Sequence, residues 1–110
     1  MILGAYSRGL IVGFAHGTLP WGGISIVYWL AVDPKFQHKG IGTAILKEWE
    51  KIAEEKGAHS IHLDSNKKNL KFYEKLGYKV IGFDEKSWFG ASGYILTKLI
   101  QEPKEENFLK

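Results

Sequence analysis

The chain has 110 residues, of which 45% are hydrophobic and 25% charged, with a formal net charge of +3 and no cysteine. This length and composition fit one globular domain with one hydrophobic core. The absence of cysteine excludes a disulfide framework, a thiolate nucleophile and a cysteine-ligated metal site. No apolar run could cross a bilayer uninterrupted, and the N-terminus lacks the basic-then-apolar order of a secretory signal, so we expect a cytoplasmic protein without a membrane partner.

Strand patterns fill the first third of the chain. Residues 4–8 are a short candidate strand, and residues 10–16 are a better one. The turn-forming residues 17–23 are expected to reverse the chain. Residues 24–32 are apolar at almost every position, which predicts a central strand covered on both faces. Pro34 cannot donate a ladder hydrogen bond, so this strand is expected to end or splay there.

Helical periodicity follows. Apolar residues such as Ile45 and Trp49 recur on one face, which predicts a helix over residues 41–56, and Gly57 is expected to end it in a left-handed conformation. Residues 60–64 are typical of a strand. Because a helix connects them to strand 24–32, these two strands should be parallel.

A second helix is predicted over residues 67–76, followed by strands over 79–84 and 93–99. This order predicts an α+β fold, with a mixed, mostly antiparallel sheet, one central parallel strand pair and two main helices. We expect a single domain over residues 1–100 and a polar tail over residues 101–110, frayed as far as Phe108.

The segment Gln37-His38-Lys39-Gly40-Ile41-Gly42 carries the strongest functional signal. It lies between a strand and a helix, so backbone N–H groups at the helix N-terminus face outward and the helix dipole adds positive potential. Gly40 and Gly42 have no side chains, so a diphosphate could sit directly on the main chain. The segment therefore predicts a phosphate-bearing cofactor, and Lys39 is the lysine we favour for a phosphate contact.

Two motifs resemble the GNAT superfamily of N-acetyltransferases. Residues 32–42 are similar to its acetyl-CoA pyrophosphate loop, which has Gln or Arg, two free positions, Gly, one free position, then Gly or Ala. Residues 66–78, Asn-Lys-Lys-Asn-Leu-Lys-Phe-Tyr-Glu-Lys-Leu-Gly-Tyr, are similar to a later block of the family. One helix and one strand separate the two motifs, as in the family, and the resemblance covers residues 10–99.

The resemblance implies a GNAT-like fold, in which the two parallel strands splay apart and admit the arm of acetyl-CoA, the implied cofactor. It implies that Tyr73 is the general acid that protonates the leaving thiolate, and that backbone amides of residues 30–32 polarise the acetyl carbonyl. The residues implied to bind the cofactor are Leu30, Ala31, Val32, Gln37, His38, Lys39, Gly40, Ile41, Gly42, Thr43, Asn66, Asn69, Phe72, Tyr73 and Lys75.

Two of these residues have a structural alternative. Tyr73 shares a helix face with Leu70 and Leu76, so it could instead be a core aromatic. Asn66 is a good N-cap for its own helix as well as a candidate near the cofactor arm. Asn69 departs from the family pattern, because a small Ala usually stands there.

No general base is assigned. Many family members place a Glu on the strand equivalent to residues 24–32, but this strand contains no acid. Asp33 is more typical of a turn, His16 lies on the adjacent strand, and a water chain could also take the proton. His59 and His62 should face opposite sides of a strand and make a poor metal pair, so no metal is expected.

The acceptor site is less defined. We expect this short form to lack the N-terminal strand and two helices that build much of that site in the family. Acceptors could then enter an open groove, a second subunit could complete the site, or catalysis could be lost. An uncovered sheet edge near the N-terminus favours a homodimer. Trp21, Trp29 and Trp88 could line an acceptor pocket, but burial in a small core is favoured.

The resulting hypothesis is an acetyl-CoA-dependent N-acetyltransferase, in which a primary amine of a small molecule or protein attacks the thioester directly. The alternative is a non-catalytic acyl-CoA sensor or partner-binding module on the same scaffold. Nucleic-acid binding rests on the mild basic charge alone and is not expected. Polyamine, aminoglycoside, protein N-terminus and lysine side chain all stay open as acceptors.

Overall fold

The computed structural model describes residues 1–103 as a six-stranded sheet with both helices packed on one face. The strand order is β1-β2-β3-β4-β6-β5, and only β3 and β4 are parallel. The α+β fold predicted from the sequence is therefore confirmed. The elements are β1 Ile2–Ser7, β2 Leu10–Gly17, β3 Ile24–Val32, α1 Ile41–Glu55, β4 Ser60–Ser65, α2 Leu70–Lys75, β5 Lys79–Asp84 and β6 Gly93–Leu99.

Two element boundaries differ from the sequence prediction by two residues or more. The segment predicted as one helix over residues 67–76 begins with a 3₁₀ turn, Lys67–Asn69, before α2. The turn is tight because the Asn66 side chain accepts a 2.9 Å hydrogen bond from the Asn69 backbone N–H. At the other end of the sheet, β1 starts at Ile2, two residues earlier than predicted, since it pairs with β2 as far as His16.

The core lies between α1, α2 and one face of the sheet. From α1, Leu46, Trp49 and Ala53 are fully buried, and they pack with buried strand residues such as Ile61 and Leu96. The predicted apolar face of α1 is thus confirmed, and Gly57 follows the helix in the expected left-handed conformation, with φ 96°. None of the helices within residues 1–103 is both long enough and apolar enough to span a bilayer.

The opposite face of the sheet is open in the described part of the chain. The expectation that β3 is covered on both faces is wrong beyond Val27, because Tyr28 and Trp29 are 41% and 50% exposed. The physical reason is that both described helices pack on the other face. Apolar residues of β3 therefore remain accessible at the carboxyl end of the strand.

The start of the predicted polar tail is held against the domain. The Gln101 amide donates hydrogen bonds of 3.1 and 2.7 Å to the backbone carbonyls of Glu54 and Ala58, at the end of α1. The expected fraying is therefore not seen at Gln101. The rest of the predicted tail, residues 104–110 with Phe108, lies outside the described residues.

Candidate active site

A gap between β3 and β4 forms the centre of the candidate site. The two strands pair only from Ile24 to Val27 on β3 and from Ser60 to Leu63 on β4. Beyond this point β3 pairs with β2 alone and β4 with β6 alone. The divergence starts at a β-bulge, where the β2–β3 register skips Tyr28. The predicted splay is confirmed, but the bulge at Tyr28 sets its position, well before Pro34.

The gap leaves one edge of β3 without a strand partner among the described residues. Along this unpaired stretch, Tyr28, Trp29 and Leu30 line a cavity of about 850 Å³. Unpaired backbone N–H and C=O groups at such an edge can pair with an extended chain, as an added strand would. Residues 30–32, whose backbone amides are predicted to polarise the acetyl carbonyl, lie on this segment, and Leu30 lines the cavity.

The loop before α1 has the geometry of an anion site. Gly40 is the N-cap, in a left-handed conformation with φ 82°, and no side chain caps the helix. The four residues 37–40 are exposed, and a Cβ atom added to Gly40 would meet nothing within 4 Å. The first N–H groups of α1 therefore open toward solvent, as a phosphate ligand requires. The phosphate contact itself stays a prediction.

The other predicted cofactor residues, in the loop and in α1 and α2, differ in exposure and in contacts. A Cβ atom on Gly42 would lie 3.4 Å from the Phe72 ring, an ordinary contact distance, so Gly42 lies against α2. The Gln37 amide turns back and donates a 3.1 Å hydrogen bond to the Val32 carbonyl. The Lys39 ammonium lies 5.5 Å from the centre of the Phe36 ring. Ile41 and Thr43 are half-buried, whereas His38 and Lys75 are exposed.

The position of Tyr73 fits both interpretations drawn from the sequence, a core aromatic and a candidate general acid. Its ring belongs to the core, is 8% exposed and packs edge-on against Phe72 and Tyr78 at 5.0 and 6.0 Å. Tyr73 also lines the cavity, and its hydroxyl takes part in none of the hydrogen bonds found within residues 1–103. Burial raises the pKa of Tyr73 from 10.0 to about 12. The phenol therefore keeps its proton at neutral pH.

Asn66 and Asn69 also line the cavity beside Tyr73. The N-cap interpretation of Asn66 is confirmed by its hydrogen bond to Asn69. Of the predicted cofactor residues, Leu30, Asn66, Asn69 and Tyr73 thus come together at the cavity. The remaining ones lie outside its lining, on β3, the loop before α1, the first turn of α1 and α2.

The loop between β5 and β6 contributes Phe89, which the sequence prediction did not include, and Trp88, for which burial was favoured over a place in an acceptor pocket. Its Trp88 and Phe89 rings meet the Tyr28 and Trp29 rings edge-on, with centroids 5.6 and 6.1 Å apart. The expectation that Trp29 and Trp88 are buried is wrong, because both are at least half-exposed and line the cavity. An aromatic pair followed by Gly90 in an otherwise polar loop was the available signal. The expected burial of Trp21 is wrong too, because Trp21 is 87% exposed, and it does not line this cavity.

Two candidates for the general base can be placed. Asp33 caps the turn Pro34–Phe36, because its side chain accepts a 2.9 Å hydrogen bond from the Lys35 N–H, so the turn interpretation is confirmed. His16 lines the cavity, with its ring 6.0 Å from that of Tyr28. The cavity therefore contains an imidazole, but the described residues of β3 hold no acid.

Comparison with known proteins assigns the family. The family model described as an acetyltransferase (GNAT) domain matches residues 1–80. A glucosamine 6-phosphate N-acetyltransferase of Trypanosoma brucei brucei is 36% identical over 78 residues, 71% of this chain and 51% of that protein. A spermidine N(1)-acetyltransferase of Thermoplasma acidophilum is 31% identical over 101 residues, 89% of this chain and 58% of that protein.

A solved structure agrees with this assignment. The PaiA N-acetyltransferase of Thermoplasma acidophilum, in complex with coenzyme A, has a TM-score of 0.74 and 28% identity, covering 90% of this chain and 60% of that one. The chain spans little more than half the length of the curated relatives described above. The family model matches most of the chain, and the splayed strands and the loop before α1 fit it, so this chain belongs to the GNAT acetyltransferase domain family.

Proposed function

We propose that the chain binds acetyl-CoA and transfers its acetyl group to a primary amine by direct attack. The observation that carries this proposal is the divergence of β3 from β4 after Val27, which leaves a free strand edge beside a cavity. The anion-type loop before α1 lies at the end of the same strand. Family membership and the coenzyme A complex of a 28% identical relative support the choice of cofactor.

The cofactor would occupy both features at once. Its diphosphate fits the free N–H groups around Gly40, where the helix dipole favours an anion. Its extended arm fits the free edge of β3, where main-chain groups can pair with its amides. The thioester would then lie in the gap, near Leu30 and Tyr73, where backbone amides can polarise the acetyl carbonyl.

The chemical step needs a proton donor for sulfur. A neutral amine forms a bond to the acetyl carbon, the carbon–sulfur bond breaks, and the sulfur leaves as a thiolate. Tyr73 lines the cavity, and its hydroxyl takes part in none of the hydrogen bonds found within residues 1–103, so it is the side chain we assign to protonate that thiolate. The nitrogen loses its proton to solvent through the open cavity, and solvent restores the phenol.

The test compares two neighbouring tyrosines. Tyr73→Phe should lower kcat for thiol release by about 10²-fold or more, the usual contribution of a general acid, with little change in acetyl-CoA affinity by calorimetry. Tyr78→Phe is the matched control, because Tyr78 packs beside Tyr73 but does not line the cavity. Equal turnover of Tyr73→Phe and the control would remove Tyr73 from the mechanism.

A second candidate function is a non-catalytic acyl-CoA sensor on the same scaffold. It is favoured by one observation: Asp33, the acid closest to the end of β3, is engaged in capping a turn. A sensor would bind acetyl-CoA but release no thiol with any amine of a broad panel. Turnover with any one of these amines would exclude it.

Assembly and location are further proposals. β1 is an edge strand, and its Ile2 and Tyr6 side chains are about 70% exposed, which favours pairing with a second copy. Light scattering of the purified chain tests this homodimer, and cell fractionation tests the cytoplasmic location.

A further inference from the structure

The charge and the aromatic walls of the cavity point to a class of acceptor. Resting on the proposed function, we propose that the acceptor is a primary amine that carries a second positive charge, and that Asp64 holds this second charge. The relatives' names leave the acceptor open between a phosphorylated amino sugar and a polyamine, which have opposite charges. The described cavity residues discriminate between these classes.

Aromatic rings form the walls on the open face of the sheet. Tyr28 and Trp29 come from β3, and Trp88 and Phe89 from the loop between β5 and β6, as two edge-to-face pairs across the cavity. Phe89 is 90% exposed, and a contiguous exposed apolar patch of this kind usually marks a binding surface. Such rings attract alkyl chains, and their faces attract organic cations.

Asp64 supplies the charge. It lies on β4 where the strands have diverged, and it is the one carboxylate among the described cavity residues, which include no lysine and no arginine. Its Oδ2 accepts a 2.7 Å hydrogen bond from the Ser87 hydroxyl, which ties the carboxylate to the aromatic loop. Its Oδ1 takes part in none of the hydrogen bonds found within residues 1–103. This oxygen can accept from an ammonium group.

The carboxylate suits a nitrogen that does not react. The attacking nitrogen must be neutral, whereas a carboxylate stabilises the protonated form of an amine beside it. A second ammonium group has no such conflict, because it keeps its charge throughout the reaction. A phosphate in the same cavity would meet Asp64, and the described lining holds neither lysine nor arginine to offset the repulsion.

The experiment pairs two amines of equal chain length, hexane-1,6-diamine and hexylamine. With the full chain, kcat/KM should be at least about tenfold higher for the diamine, and the diamine should also bind at least about tenfold more tightly by calorimetry. Asp64→Asn should abolish both preferences, because the values for the diamine should fall to those for hexylamine. Asp84→Asn is the matched control, because it changes the net charge equally from an exposed site outside the cavity.

Each alternative outcome has a distinct meaning. Equal kcat/KM for the two amines, or a better rate with glucosamine 6-phosphate, overturns the acceptor assignment. An equal loss for both amines in Asp64→Asn also overturns it, because the carboxylate would then act on the reacting nitrogen. Tight, Asp64-dependent diamine binding without thiol release supports the acceptor site and overturns the proposed function instead.

Discussion

The indole Nε1 of Trp49 on α1 donates a 3.0 Å hydrogen bond to the Ser25 hydroxyl on β3. Both side chains are fully buried, and the Ser25 hydroxyl in turn donates a 2.9 Å hydrogen bond to the Thr18 carbonyl. This chain of bonds fixes how α1 is rotated against the strand that later diverges. It therefore helps to position the N-terminal loop of α1 relative to the free edge of β3.

Ser25→Ala should destabilise the fold by about 1–3 kcal/mol, because it leaves the buried Trp49 N–H without an acceptor. Urea denaturation measures the free energy of unfolding. Ser7→Ala on β1 is the control, since the Ser7 hydroxyl makes no hydrogen bond within residues 1–103, and it should change stability by less than about 0.5 kcal/mol. Equal effects of the two substitutions would show that the buried bond contributes nothing.

Two glycines at opposite ends of α1 test the cofactor loop. Gly40 and Gly57 both have positive φ, 82° and 96°, and both face open space. Each substitution by Ala should therefore cost a similar amount, about 1 kcal/mol of backbone strain. Only Gly40→Ala puts a methyl group where the diphosphate is proposed, so only this variant should weaken acetyl-CoA binding, by about tenfold or more in calorimetry. Unchanged affinity in Gly40→Ala would place the diphosphate elsewhere.

Periodicity and motif spacing were sufficient to predict the elements and the parallel pair. The apolar face around Trp49 predicted α1, and the connection through α1 predicted that β3 and β4 run parallel. The position of the divergence was not predictable, because a bulge is a slip in register and Tyr28 carries no local signal of one. The exposure of Trp29 was also missed, since it depends on which face of the sheet the helices cover.

Side-chain direction limited the prediction of the site. The sequence placed Tyr73 on an apolar helix face, but only its place at the cavity shows that the ring is buried while the hydroxyl remains accessible. Ser87 and Asp64 are 23 residues apart in sequence. They meet because β6 pairs with β4 and brings the adjoining loop to the gap, a contact that no local pattern encodes.

Alkaline pH should destabilise the fold through two buried tyrosines. Burial raises the pKa of Tyr73 from 10.0 to about 12. Burial also raises the pKa of Tyr78, and so does the Glu50 carboxylate, which accepts a 2.7 Å hydrogen bond from the Tyr78 hydroxyl. Below pH 10 both phenols are protonated in the folded and unfolded chain, so their contribution is complete. Above pH 10 the unfolded chain ionises first, and stability falls as the pH rises.

Removing one phenol should flatten this dependence. For Tyr73 alone, the rise from 10.0 to about 12 corresponds to ~2.7 kcal/mol in total, most of which is lost between these pH values. Tyr73→Phe should therefore resemble the wild type in urea unfolding at pH 8 and lose less stability by pH 12. Parallel curves for the two proteins over this range would show that the Tyr73 pKa is not raised in the folded state.

Phe89, in the cavity wall, has a strained backbone and an exposed side chain. Its φ is 59°, in the left-handed region that favours glycine, and its ring packs edge-on against Trp29. Phe89→Ala removes the ring and keeps the strained backbone, whereas Phe89→Gly also relieves the strain. The glycine variant should be more stable than the alanine variant by about 1 kcal/mol in urea denaturation. Both should weaken hexane-1,6-diamine binding equally, because both lack the ring. An affinity loss confined to one variant would mean that the loop backbone, and not the Phe89 ring, shapes the acceptor wall.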